Sequence, residues 1–241
     1  MRPKLLQEFS HTKKSVQLVS SSTPSLKHAP EMNTLIEKGW GAACAERPDL
    51  FDSRLLRVTD VENWEQAVRI RVAPDITYKD VVGFRHHRDE IQTLPPDRVF
   101  QSLTIILEVT TNDNDVVLLE RDSGDWPHSL EFPGMFVRRE SAQKTEQEIL
   151  DELLAKDLGI DAKRCDAISL FSILDFKNIC EMMLIYKVTL ECATEELRAY
   201  ASKPLFVLPP GYTSKRHDAF FSLPLHYPTA VVMEKLGENK T

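Results

Sequence analysis

The sequence predicts an α+β protein, a mixed sheet between helical layers with an α/β extension ahead of it. Three observations carry that expectation. β-rich runs cluster in the middle of the chain, as "QSLTIILEV", "DVVLLERD", "AISLFSILDF" and "EMMLIYKVTL". Helical spacing of apolar residues marks "MNTLIEKGWGAACAE", "TEQEILDELLAKDL" and "PTAVVMEKL" around them. Turn residues, the Asn/Asp cluster at 112–115 and Pro133-Gly134, separate the runs.

In chain order, a helix is expected over 31–46, stopped by Pro48. "AVRIRVA" alternates as a short strand with Val68, Ile70 and Val72 on one face, and a short helix or turn follows, ending near Gly83. Runs 101–110 and 115–121 read as a hairpin across the Asn/Asp cluster. Residues 129–138 read as strand, tight turn and strand, and a long helix over about 142–158 comes next. Two strands follow, the second nearly all apolar, as expected of a strand covered on both faces. A short helix with Thr194 as its cap and a last helix in "PTAVVMEKL" close the chain. The expected organisation is a mobile segment at 1–30, an extension at 31–96 and a sheet domain at 97–241, with the seam at Pro95-Pro96. Residues 1–30 are Lys- and Ser-rich with few acids, a bias shared with organelle transit sequences, but a mobile terminus is the simpler expectation.

Composition narrows the function classes. With 42% hydrophobic and 28% charged residues the chain is that of a folded protein rather than a disordered or membrane one. A net charge of −7 argues against nucleic acid as partner, because phosphate binding needs a basic surface to replace counterions. No run is apolar enough to span a membrane, and Cys44, Cys165, Cys180 and Cys192 lack metal or redox spacing, which points to reduced thiols in the cytoplasm. The oligomeric state is not legible.

The expected helix from about 142 carries Glu148, Asp151 and Glu152. At about 100° per residue these acids share one face and Ile149, Leu150, Leu153 and Leu154 the other. Like charges one turn apart repel, and a hard divalent cation would relieve that; an acidic solvated face is the bland alternative.

What precedes the helix resembles the Nudix box, in which a glycine, five residues and a glutamate lead to an Arg-Glu-apolar-x-Glu-Glu helix and a later glycine. Gly134, Glu140, "QEILDE" at 147–152 and Gly159-Ile160 stand in that order, entered through "LEFPG". Four departures accompany the match. The loop is one residue short, Gln147 replaces arginine, Asp151 replaces a glutamate and Gly159 comes late. The resemblance implies a Nudix-type α/β/α sandwich in which Mg²⁺, or Mn²⁺ in its place, is held by Glu148, Glu152, Asp151 and a backbone carbonyl near Gly134. It gives catalytic roles to Glu148, Glu152 and, as a supporting acid, Glu140.

Order and spacing over about residues 30–236 are similar to the Nudix enzymes that cleave UDP-glucose and UDP-galactose. That likeness implies hydrolysis of a nucleotide sugar to UMP and a sugar 1-phosphate, with a small-molecule substrate. Tyr78, Phe84 and Trp126 are candidates for a uracil floor, and Arg85 and Arg88 for phosphate or sugar oxygens; core packing and a solvated charge run are the plain alternatives. Glu131 and Glu181 are candidates for the base that activates water. The rival to an enzyme is a Nudix-fold nucleotide-binding or regulatory module with weak or no turnover, since Gln147 and the short loop depart from the box.

Overall fold

The structure is a computed structural model that describes residues 4–8, 14–64, 67–91, 99–121, 128–209, 224 and 226–238. The Pro95-Pro96 seam and Trp126 lie outside the described residues. The chain forms two compact units that interleave along the sequence. The first is Met1–Ile105, Met135–Ile149 and Leu170–Ile185, and the second is Ile106–Gly134, Leu150–Ser169 and Tyr186–Thr241.

The first unit is built on a mixed sheet. Its strands are β1 (Lys4–Glu8), β2 (Ser15–Ser20), β3 (Arg54–Asn63), β4 (Ala67–Thr77) and the relevant parts of β5 (Ser102–Thr110), β9 (Cys165–Phe176) and β10 (Glu181–Leu190). Their order is β1-β9-β10-β5-β3-β4-β2. β2 runs parallel to β4, Val16 opposite Val68, while β3 is antiparallel to β4 and touches β5 at Arg57 opposite Ser102. The N-terminal stretch therefore shares a sheet with β5. The segment expected to be a mobile terminus contributes β1 and β2, with Val16 buried. Short apolar alternation in "SVQLVS" gains its stability from a partner some fifty residues away, which local reading does not see.

Helix α1 (Pro30–Glu46) opens with proline at its first position, where the missing N–H costs nothing. Helix α2 (Tyr78–Arg85) starts on a capping box: the Asp80 backbone N–H donates to Thr77 Oγ1 at 3.4 Å, and the Asp80 carboxylate accepts from the Thr77 N–H at 2.7 Å. α1 and α2 touch backbone to backbone. A Cβ built on Gly39 would lie 2.3 Å from the Gly83 carbonyl oxygen, so only glycine fits the crossing. Met32 and Ile36 of α1, Val81 and Phe84 of α2, Leu55, Ile76, Phe100 and Cys180 make this unit's core.

In the second unit, β6 (Val116–Glu120) pairs with β5 at Thr110, with β7 (Leu130–Glu131) and with β11 (Leu205–Leu208), all antiparallel. Buried Leu150, Leu153, Leu154 and Leu158 anchor the later turns of α4 (Glu146–Leu158). Helix α5 (Thr194–Tyr200) follows, and α6 (Tyr227–Glu238) ends the described chain. Thr194 is the first residue of α5 rather than its cap. Its N–H donates to Asp113 and its hydroxyl to Asp115, each at 2.9 Å, which ties the helix start to the β5–β6 turn. Among the described residues no helix is long and apolar enough to cross a membrane.

Candidate functional site

Gly134 begins β8 (Gly134–Phe136), a 3₁₀ turn spans Arg139–Gln143, and α4 starts at Glu146. The strand, loop and helix expected of the box are thus present in order. Thr145 caps α4 with Glu148 as its partner. The Thr145 N–H and hydroxyl donate to Glu148 Oε2 at 2.7 and 2.8 Å, and the Glu148 N–H returns to Thr145 Oγ1 at 3.3 Å. This capping box holds the Glu148 carboxyl below its usual range, chiefly through the Thr145 backbone N–H. One residue of the acidic face therefore has a structural task that "T-E-Q-E" spells out. Glu146 has another, accepting from the Val16 N–H of β2 at 2.9 Å. Glu140 is exposed on the 3₁₀ turn, and Ile149 is buried.

In the second unit, Glu152 is exposed and Asp151 half-buried, lining a groove with Ala155, Gly159, Ile160 and Asp161. Gly159 ends the helix in the left-handed region at φ 67°, with its N–H bonded to the Ala155 carbonyl at 3.1 Å. A Cβ there would meet the Tyr200 carbonyl at 2.2 Å. The lateness of this glycine in the box thus follows from where α4 stops.

The strand that enters the box is held at every turn. Leu130 N–H donates to the Pro224 carbonyl and its own carbonyl accepts from the His226 N–H, both at 2.8 Å. Phe132 N–H reaches Thr229 Oγ1 at 3.3 Å, the Leu107 N–H donates to the Pro133 carbonyl at 2.8 Å, and Gly134 N–H donates to Asp157 Oδ2 at 3.1 Å. Glu131 pairs with Arg121 Nη1 at 2.5 Å, and His226 Nδ1 lies 3.7 Å from the same carboxylate. Burial pushes the Glu131 carboxyl up; Arg121 opposes that shift and the Asp157 charge adds to it. Asp157 is 3% exposed, on the apolar face of α4. Sequence reading overlooked it, although an acid in the Leu150, Leu153, Leu154, Leu158 stripe was the available signal.

The residues expected to meet substrate divide. Tyr78 is half-buried, edge-on to Trp40 at 6.2 Å and to Phe136 at 5.7 Å. Phe84 is 1% exposed with His28 and Phe100 against its ring, so it is core and offers no open floor for a base. Arg85 is committed to a buried ion pair with Glu181, which neutralises that acid too. Its Nε also donates to the Ile179 carbonyl at 3.0 Å. Arg88 begins the four-residue helix α3 (Arg88–Ile91).

Among the described residues no group of three or more His, Cys, Asp or Glu stands close enough to hold a metal ion. The donors along α4 are nevertheless all carboxylates, the ligand class of Mg²⁺, which is commonly bound through one or two carboxylates and completed by waters and substrate phosphates. Glu148 and Glu152 stand one turn apart on α4, and Glu148 Oε2 is the oxygen already engaged by Thr145.

No protein family and no curated protein matches the sequence. Solved structures similar to the chain include the Nudix domain of Shewanella oneidensis NrtR complexed with ADP ribose, at 15% identity and TM-score 0.40, covering 64% of this chain and 97% of that one. DR0079 from Deinococcus radiodurans is similar at 12% identity and TM-score 0.45, over 74% and 98% of the two chains. The Nudix hydrolase RenU from M. smegmatis is similar at 12% identity and TM-score 0.39, over 58% and 84%.

Proposed function

We propose that the protein is a Nudix-type hydrolase that uses Mg²⁺, or Mn²⁺, to cleave the diphosphate bond of a nucleoside-diphosphate sugar. The substrates that the sequence favours are UDP-glucose and UDP-galactose, giving UMP and a sugar 1-phosphate. One observation carries the reading. The chain passes from Gly134 through the turn holding Glu140 into α4, whose apolar residues are buried while Glu148 and Glu152 are exposed. Glu148, Glu152 and Asp151, with the Gly134 carbonyl, would hold the ion, and Glu140 would support them. Such an ion would supply charge neutralisation at phosphorus and activation of the attacking water. Tyr78, which is half-buried, would be an aromatic floor for a base.

A non-hydrolysing nucleotide-binding module is the second reading, favoured by the commitment of Glu148 to its cap and by Gln147 in the arginine position. The test is a panel of UDP-sugars, ADP-ribose and nucleoside triphosphates with product identification, with and without Mg²⁺. UMP and sugar 1-phosphate should form from the UDP-sugars, and Glu152→Gln should abolish that turnover while leaving the melting temperature near wild type. Nucleotide binding with no product in any arm would favour the module.

A further inference from the structure

In the sheet of the first unit β4 has β3 along one side and β2 along the other. Without β2, β4 would end the sheet and turn a row of backbone N–H and C=O groups outward, a template for pairing with another chain. Its two halves are guarded differently. Toward the C-terminal end Pro74 has no N–H to offer, and the Leu26 N–H donates to the Asp75 carboxylate at 2.7 Å, which holds the chain after β2 against that end. Residues 67–72 contain no proline, and the charges of Arg69 and Arg71 are balanced on β3 by Glu62, at 3.8 and 2.7 Å. This is the half that β2 covers, from Ser15 opposite Ala67 to Ser20 opposite Val72.

β2 makes a safer edge than β4. It is six residues long against eleven, and a short edge strand offers less to pair with. Backbone groups alternate sides along a strand, and the Ser21 N–H donates to the Val72 carbonyl at 2.8 Å, so the N–H groups of Gln17 and Val19 face β4 and those of Val16, Leu18 and Ser20 face away. The Val16 N–H agrees, donating on the far side to Glu146 Oε2 at 2.9 Å and so closing part of the new edge. Lys14 Nζ, bonded at 2.8 Å to Asn63 Oδ1 and to the Trp64 carbonyl, ties the start of β2 to the end of β3. Val16 is the one fully buried side chain of β2, so the strand is held chiefly through its backbone. We propose that β2 is an autoinhibitory strap: it occupies a strand-addition surface on β4, and its release lets the β4 edge of a second copy of this chain pair there. Neither strand carries a residue assigned to the hydrolase reading, so the two stand or fall separately.

The experiment is sedimentation velocity of the full chain over a range of concentrations for wild type, Gln17→Pro and Leu18→Pro, with far-UV circular dichroism to check the fold. Proline at 17 removes an N–H that faces β4, whereas proline at 18 removes one that faces away. Gln17→Pro should sediment as larger species whose share grows with concentration, and Leu18→Pro as wild type does. A synthetic peptide of residues 14–21, KSVQLVSS, should return Gln17→Pro to the wild-type sedimentation coefficient by refilling the edge. The same peptide with proline in place of Gln17 should not. If Gln17→Pro does not fold, Val16→Ala, which loses the buried anchor and keeps every backbone bond, takes its place. A folded Gln17→Pro or Val16→Ala chain that sediments as wild type at every concentration overturns the proposal. Equal association of both proline variants overturns it as well, because general weakening rather than the side facing β4 would then be at work. Association that the peptide leaves unchanged also overturns it, because another surface would then carry it.

Discussion

Replacing Arg85 by alanine is expected to destabilise the protein strongly rather than to weaken substrate binding. The side chains of Arg85 and Glu181 are each 5% exposed and form an ion pair. The guanidinium also donates to the Ile179 carbonyl and lies 5.5 Å over the ring of Phe136. Removing it leaves the Glu181 carboxylate in a buried place without that cation. Breaking a buried pair from one side costs about 3–5 kcal/mol, a large part of the roughly 5–15 kcal/mol that stabilises a domain. With a urea slope of about 1–3 kcal/mol per molar, the midpoint should fall by on the order of 2 M. Equilibrium urea unfolding of wild type, Arg85→Ala, Glu181→Ala and Arg85→Met/Glu181→Leu measures it. The double variant should recover most of the loss, since two well-packed apolar side chains replace a buried pair at little cost. An Arg85→Ala protein within about 0.5 kcal/mol of wild type, the range of surface substitutions, would refute the reasoning. A raised KM in that stable variant would restore Arg85 as a substrate contact.

Gly39→Ala should lower the melting temperature, because the new Cβ would stand 2.3 Å from a backbone oxygen that cannot rotate away; overpacking of this kind costs about 1–3 kcal/mol. Gly41→Ala on the same helix meets no atom within 4 Å and should raise it, so the order of melting temperatures checks the α1–α2 crossing. The Glu148 carboxyl is held below its ordinary value of 4.5, so its contribution to stability is present above that pH and is lost as pH falls through the native value. Glu148→Gln should therefore flatten the acid limb of a stability–pH curve; an unchanged limb would show that the Thr145 cap contributes no pH dependence.

The elements with strong local signals were legible. β10 reads as a run covered on both faces, and its first six residues, Glu181–Tyr186, are all buried. The helix at 30–46 stands as its periodicity predicts. β3 was not legible as a strand because its pairing slips between Leu55 and Arg57 and again between Val58 and Asp60. Each bulge places consecutive residues on one side, so Leu55, Leu56 and Arg57 are all buried and the period-two signal is lost. The expected helix start at 142 was too early because Arg139–Gln143 winds as a separate 3₁₀ turn and α4 waits for its Thr145 cap.

For the site, the spacing of acids placed Glu148 and Glu152 on the exposed side of α4, as expected, but spacing is silent about what a carboxylate is bonded to. Three acids of one helix, Glu146, Glu148 and Asp157, accept hydrogen bonds from backbone N–H groups, those of Val16, Thr145 and Gly134. Each bond satisfies a donor that a helix start, an edge strand or a tight turn would otherwise leave to water. An acidic helix can therefore be rich in carboxylates for reasons of folding alone, and counting them overstates the number open to an ion. The two uses separate by burial: an acid in the apolar stripe, such as Asp157, answers to the backbone, whereas Glu152 on the opposite face is exposed. That exposure is why Glu152 is the residue whose substitution tests the proposed chemistry with least disturbance of the core, whereas substitution of Asp157 tests the turn at Gly134.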